Sequence, residues 1–106
     1  MACRVYGTLS DIQGNAISGA GVSVSLTIRN QYYDSGDDVT KILFPSSVSI
    51  TTDSNGYWEV NLLDNENMVN PSYYKFEFTY DGETYVWEKY IPDQTEAEFT
   101  TLSDMG

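Results

Sequence analysis

A chain with no histidine lacks the commonest general base and metal ligand before any fold is considered. Ser-His-Asp and Cys-His arrangements are excluded with it. The single cysteine, Cys3, stands beside Arg4 near the chain start with no imidazole to activate it, and it reads as a small residue in or near a first strand. There is no phosphate loop and no dinucleotide fingerprint. What remains are sixteen acidic side chains and nine tyrosines. Paired carboxylates run glycoside hydrolysis, but that reaction needs a deep cleft, which a small β domain rarely supplies. No enzymatic activity and no cofactor are expected. Asp34, Asp37 and Asp38 are weak metal candidates, because calcium takes carboxylate and carbonyl oxygens. Their spacing does not follow the calcium-loop pattern, so a polar loop without metal is the expectation. Asp53-Ser54-Asn55-Gly56 looks like the start of such a loop but sits where a hairpin turn belongs.

The aromatic residues carry a different chemistry, that of contact. Tyrosine buries a large ring while keeping a polar tip, which suits it to interfaces. Tyr6, Tyr57, Tyr73 and Tyr90 fall on the face opposite the apolar stripes described next. Tyr32 and Tyr33 form a pair in a long loop that also holds Phe44. Together these rings are the candidate interface.

The elements that position them are strands. Gln13-Gly14-Asn15, Asp53-Ser54-Asn55-Gly56 and Asp81-Gly82 are turn signals set between alternating runs. Val5, Gly7 and Leu9 share one face of a first strand over 4–10. Val22, Val24, Leu26 and Ile28 share one face of a second. Val48, Ile50 and Thr52 alternate next, followed by Trp58, Val60 and Leu62. Tyr74, Phe76, Phe78 and Tyr80 form another inward stripe, and Tyr85, Trp87 and Ile91 continue it. A last short strand is read over 99–102, with a tail at 103–106. Residues 30–47 form the longest irregular stretch; the run 41–44 is at best an edge strand, demoted by Pro45. Pro45, Lys41 and Lys89 read as guards against unwanted edge pairing. The expected fold is all-β: a single antiparallel β-sandwich of about seven strands in one domain over 1–106.

Five basic residues against sixteen acidic ones give a formal charge of −11. Such a field repels phosphates, so direct nucleic-acid binding is not expected. No stretch is long enough to cross a bilayer as a helix, and the N-terminal residues lack the apolar run of a signal peptide. Synthesis in a cytoplasm is the expectation.

The segments Val5-Tyr6-Gly7-Thr8-Leu9, 13–24 and Thr51-Thr52-Asp53-Ser54-Asn55-Gly56-Tyr57-Trp58-Glu59-Val60 resemble the carboxypeptidase regulatory-like, or transthyretin-like, β-sandwich. The resemblance covers about half of the chain and implies a transthyretin-like or Ig-like sandwich. It implies no particular function, because such domains serve as accessory and adhesive modules. Related surface-protein sandwiches form an isopeptide bond from a first-strand lysine, a position held here by Arg4. The back half, from Tyr73 through Asp81-Gly82 to Asp93, resembles in style the small structural proteins of tailed-bacteriophage virions. That likeness implies a non-enzymatic virion component in the head decoration, neck or tail. Its partners would be other virion proteins and further copies of itself, made in the host cytoplasm, with no membrane. The alternative is a carbohydrate- or cell-surface-binding module.

Overall fold

A computed structural model describes residues 2–34, 36 and 40–104. The described chain is all-β, with its strands in three sheets. The strands are β1 (Ala2–Thr8), β2 (Gly21–Leu26), β3 (Gln31–Tyr33), β4 (Lys41–Leu43), β5 (Val48–Thr51), β6 (Tyr57–Leu63), β7 (Tyr74–Tyr80), β8 (Glu83–Tyr90), β9 (Glu96–Glu98) and β10 (Ser103–Asp104). One sheet runs β6-β1-β9, a second runs β10-β8-β7-β2-β5, and β3 pairs with β4 alone. Among the described residues ten strands replace the expected seven or so, because 30–47 contains a ladder and 96–104 contributes two short edge pieces. The pairing is not wholly antiparallel either: β9 runs parallel to β1, with Val5 opposite Ala97. Residues 99–101, expected as strand, form a single 3-10 turn capped by the Glu98 carboxylate on the Thr100 N–H.

Alternation built these strands as the sequence implied. On β1 the residues Cys3, Val5 and Gly7 are buried; on β6 the buried set is Trp58, Val60 and Leu62. Val22 and Val24 on β2 and Tyr74, Phe76 and Phe78 on β7 complete the inner stripes of the larger sheet. The inner faces of the three-stranded and five-stranded sheets close on one core. Its centre is a knot of rings: Trp58 lies edge-on to Phe78 and Phe99 at 5.5 Å, and Phe76 meets Phe99 at 5.0 Å. Gly7 faces Trp58 across the β1–β6 ladder, and a Cβ there would stand 3.0 Å from the indole. The missing side chain gives the indole a place to lie, the arrangement by which an aromatic covers a strand glycine.

The two main sheets differ in width. Strands lie about 4.8 Å apart, so three strands fall roughly 10 Å short of covering five. The edge strand β5, and β8 where the two-residue β10 does not flank it, are therefore left partly bare on their inner faces. Val48 on β5 is exposed although it faces the same way as Val24, its ladder partner. On β8, Tyr85 and Trp87 are 57% and 44% exposed although they pair with the buried Phe78 and Phe76. Tyr80, expected in the inward stripe, is also exposed. Lys89 does not guard an edge: it sits on the inner face of β8 between β7 and β10 and is buried. Its Nζ bonds Asp104 Oδ1 at 2.6 Å and lies 4.9 Å from the centre of the Phe99 ring.

Candidate functional site

The hairpin of β3 and β4 carries large exposed apolar side chains on one of its faces. Tyr32 and Ile42 are ladder partners and so project to the same side, and Phe44 follows Ile42 by two residues. Tyr32 is 45% exposed, Ile42 73% and Phe44 83%. The opposite face of the hairpin carries Gln31, Tyr33 and Leu43, which turn toward the protein. The hairpin is therefore two-sided, with one apolar face used internally and one left open.

Its foundation is polar and fully paired. Gln31 is buried; its Nε2 donates to the Asn70 carbonyl at 2.7 Å and to Ser72 Oγ at 2.8 Å, and its Oε1 accepts from the Tyr32 and Asn70 N–H groups. The backbone of β3 is pinned to 67–69 by Asp34 N–H to the Asn67 carbonyl and Val69 N–H to the Tyr32 carbonyl. Tyr33 is only 3% exposed, and its hydroxyl donates to Asp64 Oδ1 at 2.5 Å. The Asp64 carboxylate, itself fully buried, also accepts from the Asn67 N–H and side-chain amide. Tyr33 thus belongs to the core and leaves the candidate interface, a correction to the loop-tyrosine reading. Alternation within β3 forces it: if Tyr32 faces out, Tyr33 must face in.

The other predicted rings fall into two groups. Tyr6 and Tyr57 come together on the outer face of the three-stranded sheet, their ring centres 6.4 Å apart. Arg4 lies over the Tyr6 ring at 4.7 Å, donates to the Tyr57 hydroxyl at 2.8 Å, and bridges Glu59 and Glu96 at 2.8 and 3.1 Å. Both rings are half-buried in this network, so they are less free for a partner than their parity implied. Tyr73 and Tyr90, with Glu66, Met68, Val69 and Pro71, line a cleft of about 320 Å³.

The sequence reading missed a third surface, formed where the β7–β8 hairpin outruns its cover. Phe78, Tyr80, Tyr85 and Trp87 join Leu9 and Ile17 around a cleft of about 350 Å³. Tyr85 donates to Glu83 Oε2 at 3.2 Å at its rim. Tyr85 and Trp87 face the same side as Phe78 and Phe76, as alternation implies; what alternation could not tell is how wide the covering sheet would be. Ile42 was missed because Pro45 drew attention to the edge, yet its two-residue spacing from Phe44 was the available signal.

Of the metal candidates, Asp37 and Asp38 lie outside the described residues. Asp34 is exposed, and its Oδ1 accepts the Gly36 N–H. Among the described residues no three His, Cys, Asp or Glu side chains gather in a metal-holding cluster. Cys3 is sealed in the core, where burial pushes its thiol pKa up and Asp64 and Glu96 push it further, so it is held as an unreactive thiol. No protein-family model matches the chain, and no curated protein matches it in sequence.

Proposed function

We propose that the chain is a transthyretin-like β-sandwich acting as a non-enzymatic assembly protein, a component of a tailed-bacteriophage virion in the head decoration, neck or tail. The observation that carries this reading is the open stripe of Tyr32, Ile42 and Phe44 on a hairpin whose other face is firmly anchored. Apolar surface of this kind, exposed and contiguous, marks a contact site. Burying a side chain of this size stabilises a contact by about 1.5–3 kcal/mol. The anchoring by Gln31 means that little ordering remains to oppose it. The acidic surface discourages DNA and favours a basic or neutral neighbour.

The test is co-sedimentation of the chain with virions on a density gradient. Wild type should travel with the particles, and a variant with Ile42→Ser and Phe44→Ser should remain at the top while melting like the wild type. Wild type absent from the particle fraction would refute the virion reading.

A second reading, a carbohydrate-binding module, is favoured by the cleft beside Tyr85 and Trp87, whose rings offer faces on which a sugar stacks. A glycan array probed with wild type and with Trp87→Ala would separate the two. Retention that depends on Trp87 supports the sugar reading, and no retention removes it.

A further inference from the structure

Among the described residues β8 is the longest strand, and one side of it is nearly unpaired. Between β7 and the solvent, β10 covers only Lys89 and Tyr90. No described strand pairs with 83–88 on that side. The register of the open backbone groups follows from the turn. Asp81 and Gly82 both have positive φ, 54° and 79°, the conformation of a tight two-residue hairpin turn. Such a turn closes on a hydrogen-bonded pair, here Tyr80 and Glu83. In an antiparallel ladder the residues that bond to β7 alternate with residues that point away from it. Thr84, Val86 and Glu88 therefore aim their N–H and C=O groups at the open edge. Three side chains along it, Tyr85, Val86 and Trp87, are large, apolar and exposed.

A long, flat, apolar edge is a template for another strand. We propose that β8 pairs with β8 of a second copy, antiparallel about a two-fold axis through Val86, to make one continuous sheet across a dimer. The register is chosen by the strand itself. An axis at Val86 places Val86 opposite Val86 and Thr84 opposite Glu88, so that all three outward-pointing residues find partners. The same axis sets each Tyr85 opposite a Trp87 in the closer, non-hydrogen-bonded position, where aromatic pairs interact best. No like charges stand opposite one another. An axis at Tyr85 would leave Glu88 unpaired and give only one aromatic pair. The described part of β10 ends opposite Lys89, and the new ladder spans only 84–88, so the existing pairing of Lys89 and Tyr90 is undisturbed. The surface is self-complementary, as a two-fold contact requires. The contact lies on a strand separate from the β3–β4 hairpin and does not depend on the virion reading.

The test is the mass of the full chain in solution by light scattering over a concentration series. Wild type should double its mass. Val86→Lys and Val86→Glu each set like charges face to face, and each should raise the dissociation constant by about tenfold or more. Mixed together, the two variants should recover a heterodimer. Thr84→Lys places a cation opposite Glu88 and should tighten the dimer, a readout that holds even if the Val86 variants fold poorly. A wild type that stays monomeric overturns the proposal. So does a dimer indifferent to Val86 charge, or one lost with Ile42→Ser and Phe44→Ser instead.

Discussion

Gly56 and Gly14 share a backbone conformation but not a neighbourhood. Both have positive φ, 76° and 86°. A Cβ on Gly14 would meet nothing within 4 Å, whereas one on Gly56 would stand 2.3 Å from the Leu9 carbonyl oxygen, which is backbone and cannot swing aside. Gly14→Ala should therefore cost about 1 kcal/mol of left-handed strain, and Gly56→Ala distinctly more, about 3 kcal/mol or above. Urea unfolding of the two variants measures the difference; equal losses would refute the close approach. The Asn55-Gly56 turn was legible in the sequence, but the close approach of Leu9 was not, because it joins positions far apart in the chain. Asp64 offers a second test at this scale. Burial pushes its carboxyl pKa up, but the Tyr33 hydroxyl and the Asn67 amides outweigh that and hold it below the ordinary 3.8. A folded pKa below the unfolded one gives stability that is complete above the unfolded value and is lost as pH falls through the folded one. Asp64→Asn should cost about 1–3 kcal/mol at neutral pH and should flatten the loss of stability in acid. An unchanged acid limb in thermal unfolding would remove Asp64 from that role. Nothing in the sequence singled Asp64 out, since one aspartate in a polar loop looks like any other.

Strands and their faces were the most legible elements, because a period of two states which side chains share a side. The hairpin of β3 and β4 was the least legible, since three-residue strands are too short to show a period. Grouping Tyr33 with Tyr32 in one interface has a measurable consequence. Tyr33→Ala empties a core site and takes one hydrogen bond from Asp64, and should cost about 3–5 kcal/mol. Tyr32→Ala removes an open ring and should change stability by less than about 0.5 kcal/mol while weakening association. Thermal melts of the two single variants decide this, and equal melting points would contradict the two-sided hairpin. Sheet width was also closed to the sequence. Inward parity on β5 and β8 predicted burial, but burial further requires that something lie opposite, and the smaller sheet is too narrow to reach.

At the scale of the whole molecule the radius of gyration, 14.4 Å, exceeds the roughly 13 Å of a compact chain of this length, and the long axis reaches 48 Å. An elongated body with a charge of −11 repels its own copies, and salt relieves that repulsion. Self-association through β8 should therefore tighten several-fold as salt rises from about 0.01 to about 0.15 M, where the screening length shrinks from about 30 to about 8 Å. Docking onto a basic partner would weaken over the same range, so the sign of the salt effect in sedimentation equilibrium reports which contact is being made. Composition made the charge legible at once, but gave no hint of the parallel pairing of β1 with β9. That pairing ties Arg4 to Thr95 through the backbone and to Glu96, 92 positions along the chain, through the side chain. A ribosome must deliver the ninth strand before the first has both its neighbours. The fold therefore closes only after Glu98 has been made, and until then the growing chain holds β1 with one side open to whatever strand arrives first.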